Sequence, residues 1–185
     1  MSRCDAATDD NDSMTVTYTI RPIRPSDDAP MAALIRRCLE DAGLDRPGTA
    51  YCDPQLDRLA EYYAGLDRPG RYWVAVEHDS DDTHESVVGG VGIAAWTGTD
   101  DDTCELQKLY VAANHRRLGL GRRLLEIALA FAEQHYQRCY LETHSSLTAA
   151  CELYRTCGFT FRNAPLAGSE HSAMDMWAVK KLTAR

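Results

Sequence analysis

The chain has 185 residues, 44% of them apolar, and a formal net charge of −8. That length fits one domain, or one domain with a tail, with enough apolar residue to bury a core. The acidic balance argues against nucleic acid as a partner and mildly favours cationic substrates, and no apolar run reaches the roughly 18 residues of a membrane span.

The first fourteen residues, MSRCDAATDDNDSM, are acidic and have no apolar signal core. They read as a disordered tail over 1–14, with Met14 as an alternative start, ahead of a single domain over 15–185. Seven cysteines (Cys4, Cys38, Cys52, Cys104, Cys139, Cys151 and Cys157) form an odd set with no CxxC pair. Small buried thiols in a reducing cytosol are expected, and no disulfide or metal framework.

In chain order, alternation with β-formers predicts a strand over 15–24. Residues 26–43 read as a helix, with Ser26 as N-cap, acids in the first turn and Gly43 at the end. A second helix is expected over 54–66 with Pro54 at its first position. Strands follow at 71–78 and 86–96, the latter carrying Gly89, Gly90 and Gly92, which suggest a bulge or a close backbone approach. Residues 104–112 form another strand. A helix then runs to about Gln137, with Leu120, Leu124, Ile127, Ala128, Phe131 and Tyr136 on one face. A strand at 138–144, a helix at 146–157 stopped by Gly158, and late strands at 159–163 and 172–182 complete one α/β domain with a mixed sheet.

The stretch NHRRLGLGRRLLEIALAFA, residues 114–132, poses a physical problem. Arg116, Arg117, Arg122 and Arg123 stand at the start of a helix, where the dipole is already positive. Gly119 and Gly121 answer it, because they let backbone N–H groups point into a concavity at a helix start, which is an anion site. Arginines there meet phosphate oxygens. A dinucleotide GxGxxG would need glycine where Leu124 stands, and a P-loop would need Lys-Ser/Thr where Arg122 and Arg123 stand. What remains is [QR]xxGxG, filled by Arg116, Arg117, Leu118, Gly119, Leu120 and Gly121. On these residues alone, a tight turn with solvated arginines is the competing reading.

About thirty residues on comes LYRTCGF, with Leu153, Tyr154, Gly158 and Phe159. Loop, preceding strand and following helix together make the chain resemble the GNAT superfamily of acyl-CoA N-acyltransferases. The likeness covers most of 15–182 in element order and 104–159 at the level of motifs. It implies a mixed, mostly antiparallel central sheet of about six to seven strands flanked by about four helices. It also implies acetyl-CoA as co-substrate, no metal, a small-molecule or protein amine as acceptor, and direct attack in a ternary complex. A cytoplasmic monomer or homodimer is expected. The alternatives are a non-catalytic acyl-CoA-binding or sensing domain of the same fold, and a phosphate-binding protein of another fold.

The resemblance also assigns residues. Backbone groups of Leu109, Tyr110 and Val111 are expected to bond the pantetheine arm, with the Leu109 N–H polarising the thioester carbonyl. The pyrophosphate is expected over Arg116, Arg117, Leu118, Gly119, Leu120, Gly121 and Arg122. Tyr154 matches the family's helix tyrosine, which protonates the departing thiolate; a packing tyrosine is the alternative. Glu105 stands where the histone acetyltransferase branch has its general base, with a solvent-facing or salt-bridged carboxylate as the alternative. Gln107 and Glu142 are lesser helpers and His144 a rival base. The family's asparagine before the helix tyrosine is replaced by Leu147, so Ser145 or Ser146 is expected to take its contact. Candidate acceptor walls are residues 49–54, Tyr62, Tyr63, Trp96 and Trp177.

Overall fold

A computed structural model describes residues 16–79, 85–98, 102–169 and 171–183. The expected tail over 1–14 lies outside them. Among the described residues no helix is long and apolar enough to cross a membrane.

The chain runs β1 (Thr17–Pro22), α1 (Asp28–Asp41), α2 (Leu59–Ala64), β2 (Arg71–His78), β3 (Glu85–Ala95), β4 (Thr103–Val111), α3 (Leu120–Ala132), β5 (Arg138–Thr143), α4 (Thr148–Thr156), β6 (Thr160–Arg162) and β7 (Met176–Lys181). The strands form one seven-stranded sheet in the order β1-β2-β3-β4-β5-β7-β6. Every pairing is antiparallel except β4 with β5. The mixed, mostly antiparallel sheet with four helices is the expected fold.

Alternation along the central strands splits the core in two. Trp73 and Ala75 of β2 pack with Leu120, Leu124, Ala128 and Tyr154, so α3 and α4 cover one face. Tyr72, Val74 and Val76 pack with Met31, Ile35, Leu59 and Tyr63, so α1 and α2 cover the other. The predicted apolar stripe on α3 is this contact, although the helix ends at Ala132 rather than near Gln137.

Other boundaries also moved. Ser26 is not the N-cap of α1; it lies in a 3-10 turn, Pro25–Asp27, and Asp27 stands at the cap position. Asp27 is drawn there because its carboxylate accepts from the Arg24 N–H at 2.7 Å and pairs with Arg21 at 2.7 Å. Pro54 does not open α2, since a separate 3-10 turn, Leu56–Arg58, intervenes and the helix starts at Leu59. Cys52 is exposed, against the expectation of burial; Cys104, Cys139 and Cys151 are buried, and none of the described cysteines forms a disulfide.

The glycines of β3 do what their sequence suggested. The β3–β4 register slips between Gly90 and Gly92, which face Tyr110 and Gln107. Lys108 on the bulged side has φ 51°, a conformation that costs a residue with a Cβ. A side chain at Gly90 would meet the Tyr72 hydroxyl at 2.7 Å and Met31 Sδ at 2.8 Å. That tyrosine needs the space because its hydroxyl donates to the Lys108 carbonyl at 3.0 Å, bracing the bulge.

Candidate active site

β4 and β5 are hydrogen-bonded neighbours only at their starts. Thr103, Cys104 and Glu105 pair with Arg138, Cys139 and Tyr140, and the pairing stops there. Beyond that point β4 stays with β3 and β5 with β7. Between the parted strands each presents a backbone edge, which an extended ligand can join as an added strand. Glu105 stands at the fork.

One end of the fork is the helix start predicted from sequence. Gly119 has φ 78° and is the N-cap of α3. The Arg123 N–H bonds back to the Gly119 carbonyl at 3.1 Å, so the N–H groups of Leu120, Gly121 and Arg122 precede the helix ladder and point off its end. Arg117 takes φ 65°, shaping the turn, and Leu118 is exposed at its tip. Gly121 lies close under Leu153. The four arginines are exposed, but two of them are tied to the body by side-chain hydrogen bonds. Arg122 bonds Thr156 Oγ1 at 3.0 Å, tying α3 to the end of α4. Arg116 Nε donates to the Val111 carbonyl at 3.1 Å, so a ligand bonding that carbonyl must share it with Arg116 or displace it.

The other end is a cavity of about 50 Å³ lined by Glu105, Gln107, Lys108, Tyr110, Glu142, His171 and Met174, with Ala50 and Leu106. The Gln107 amide donates to Glu105 Oε2 at 2.6 Å and accepts from the Tyr63 hydroxyl at 2.7 Å. Lys108 Nζ lies 2.5 Å from Asp53 Oδ2. His171 stands between three carboxylates: Nε2 is 3.4 Å from Asp53, and Nδ1 is 3.7 Å from Glu142 and 4.0 Å from Glu105. The Tyr140 hydroxyl donates to the other Glu142 oxygen at 2.7 Å.

These contacts set the protonation states. Burial pushes the Glu105 carboxyl up, and the Gln107 donor and the His171 charge pull it back only in part. The result is a carboxylate more basic than usual. The ion pairs with Asp53 and then with Glu142 outweigh burial at His171 and push it up to about 10, so it is an imidazolium at neutral pH. Burial works upward at both Asp53 and Glu142; His171 and Lys108 outweigh it at Asp53, and His171 with the Tyr140 and Ser169 hydroxyls outweighs it at Glu142, so both lie below the ordinary range. Glu105, Glu142 and His171 bring one ligand atom each within 4.8 Å of one another, the spacing a metal ion would need. In the structure the three side chains form a partly buried ion-paired network, with the imidazole between the carboxylates.

Tyr154 sits on α4, 6% exposed, edge-on to Phe159 with ring centroids 5.8 Å apart. Burial raises its pKa, and it raises that of Tyr110 across the fork. Both phenols therefore stay protonated, the state a proton donor needs. The rival base His144 does not line the cavity; its Nδ1 accepts from the Ser146 N–H at 3.2 Å and lies 2.8 Å from the Ser146 hydroxyl. Ser145 is engaged with Asp175 through its N–H and its hydroxyl, both at 2.7 Å. Leu147 packs against the α1–α2 side of the core. Of the two serines offered for the missing asparagine contact, each already has a protein partner.

Of the expected acceptor walls, Ala50 lines the cavity, and Asp53 and Tyr63 reach it through Lys108, His171 and Gln107. Tyr62, Trp96 and Trp177 do not line it; Trp96 meets Tyr140 edge-on with ring centroids 4.7 Å apart and donates to the Ala167 carbonyl at 3.3 Å. Sequence reasoning missed His171 and Lys108. His171 lies on the loop between β6 and β7, where no motif marks it. Lys108 is turned inward by the bulge.

Comparison with known proteins agrees with this geometry. Residues 31–159 match the acetyltransferase (GNAT) family. The chain is 36% identical over 166 residues to the uncharacterized N-acetyltransferase YjgM of Escherichia coli (strain K12), covering 88% of this chain and 94% of that protein. Its fold is similar to that of a GNAT-family acetyltransferase from Staphylococcus aureus Mu50, with a TM-score of 0.76 at 19% identity over 90% of this chain and 100% of that one. It is also similar to the PaiA N-acetyltransferase of Thermoplasma acidophilum, solved with coenzyme A, with a TM-score of 0.63 at 17% identity over 89% of this chain and 99% of that one. A forked sheet, a glycine-formed helix start and a family match over most of the chain lead to one assignment: this protein is a member of the GNAT family of acetyltransferases.

Proposed function

We propose that the protein transfers an acetyl group from acetyl-CoA to an amine by direct attack in a ternary complex. The observation that carries the reading is the position of Glu105, a buried carboxylate of raised basicity at the point where β4 and β5 part.

In this reading the pyrophosphate lies on the N–H groups of Leu120, Gly121 and Arg122, and the pantetheine arm follows the β4 edge along Leu109, Tyr110 and Val111. The Leu109 N–H polarises the thioester carbonyl as negative charge develops on its oxygen. An alkylamine of pKa about 10 arrives protonated and is no nucleophile. Glu105 takes its proton, directly or through a water. The freed nitrogen attacks the carbonyl carbon, the C–S bond breaks, and Tyr154 gives its proton to the departing thiolate. With Asp53 behind them, the carboxylates around the cavity outnumber the cations Lys108 and His171 by one, which suits a cationic acceptor.

The test is release of free coenzyme A thiol on a panel of amines, comparing wild type with Glu105→Gln. Turnover is expected in the wild type and a loss in the variant that is largest near neutral pH and partly recovers at high pH. Tight acetyl-CoA binding with no turnover on any amine would favour a sensing domain instead. Wild-type turnover in Glu105→Gln would remove the base.

A further inference from the structure

The loop between β6 and β7 is strapped to the body on both sides of the cavity. The Ala173 N–H bonds the Gly48 carbonyl at 3.2 Å, and the Leu166 N–H bonds the Tyr140 hydroxyl at 3.2 Å. Between these ties, among the described residues, the loop lowers the His171 side chain into the group formed by Asp53, Glu142 and Glu105. Its two ring nitrogens face different partners, Nε2 to Asp53 and Nδ1 to Glu142 and Glu105. An imidazole that only packed there would leave three carboxylates gathered around a neutral ring, with Lys108 alone against them.

We propose that His171 is a positioning residue for the transfer reaction: its imidazolium is the counter-charge that keeps Glu105 a carboxylate inside the cavity. The proposal rests on the reading of Glu105 as the base. The groups facing Glu105 come from several elements. On β4, Gln107 donates to it, and the Lys108 ammonium favours its charged form. From β5, Glu142 opposes that form. On the loop, His171 favours it. Tyr63 of α2 acts through Gln107, and Asp53 acts through Lys108 and His171. Lys108 is drawn to Asp53 at 2.5 Å, which leaves His171 as the cation set among all three carboxylates. Asp53 anchors the far nitrogen and fixes the ring, as an outer carboxylate does for a working histidine.

A neighbouring charge of this kind moves a carboxyl by about one to three pKa units. His171→Gln keeps the hydrogen-bonding capacity and removes the charge. The acid limb of kcat/KM for that variant is expected to move up by about one unit or more, roughly a tenfold loss at a pH on the limb, with recovery at higher pH. His171→Lys restores a positive charge and is expected to bring the limb back towards wild type. Glu142→Gln removes the opposing carboxylate and is expected to move the limb the other way. A merely structural role would not produce shifts of opposite sign. The melting temperature and acetyl-CoA affinity of each variant are measured alongside.

A carbon-13 NMR titration of labelled glutamate carboxyls, with Glu105 assigned by its loss in Glu105→Gln, reads the same shift in protein that turns nothing over. Unmoved limbs and titrations in His171→Gln overturn the proposal, as do equal shifts in His171→Gln and His171→Lys. If Glu105→Gln abolishes the limb while His171→Gln leaves it in place, only the counter-charge fails. If Glu105→Gln keeps full turnover, the base itself fails.

Discussion

Gln107 holds Glu105 by a 2.6 Å hydrogen bond from its amide nitrogen, and the Tyr63 hydroxyl, donating to the amide oxygen at 2.7 Å, fixes which way round that amide sits. The donated N–H favours the charged carboxylate. Its removal in Gln107→Ala raises the Glu105 pKa, so the acid limb of the rate profile should move to higher pH. Tyr63→Phe leaves the amide in place but frees it to turn, and a smaller shift of the same sign is expected. Rate profiles of the two variants check this; a limb that moves down in Gln107→Ala would show that the bond does not favour the charged form.

Tyr154→Phe removes only a hydroxyl from a ring already packed against Phe159. Its proposed work falls in the chemical step, so kcat should drop by roughly ten- to a thousandfold while acetyl-CoA affinity stays nearly unchanged. Steady-state kinetics with calorimetry separate the two. Unchanged kcat would make the tyrosine a packing residue.

Gly119 has open space around its Cα, so a side chain there meets no neighbour. The obstacle is its φ of 78°, which a β-branched residue avoids. Gly119→Val should disturb the turn that aims the N–H groups of Leu120 and Gly121, and acetyl-CoA should bind at least tenfold more weakly. Calorimetry on folded variant measures it, and equal affinity would place the phosphates elsewhere.

His171 also gives the fold a pH dependence. Its pKa in the folded protein, about 10, lies above the ordinary value of 6.5. The stabilisation is therefore fully present below 6.5 and is lost as pH rises towards 10. The melting temperature of wild type should exceed that of His171→Gln by an amount that shrinks between pH 7 and pH 10. A constant gap would mean that the ion pairs with Asp53 and Glu142 contribute nothing.

The elements were largely legible because they follow simple periods. The stripe Leu120, Leu124, Ala128 shows a helix face, and Tyr72 to Val76 shows a sheet with two covered sides. The helix start at Leu120 was legible because Gly119 takes the left-handed turn that opens it. The acceptor end was not. Strand alternation puts Glu105 and Gln107 on one side of β4 and Leu106 with Lys108 on the other. The bulge breaks that rule and turns Lys108 to the Glu105 side, where it meets Asp53. His171 escaped for another reason: what brings it to Glu142 is the tertiary path of a long loop, which leaves no periodic trace in the sequence.

The Lys108 bulge makes β4 two tools joined end to end. Ahead of it, Glu105 and Gln107 line the cavity at the fork; after it, Tyr110 still borders that cavity and Val111 runs on along the open edge. Because the extra residue resets the phase, the second half keeps its facing whatever side chains the first half carries. A one-residue deletion at 108 would therefore close the bulge and leave Leu109 opposite Val91, with the register on either side unchanged, while removing the cation that pairs with Asp53.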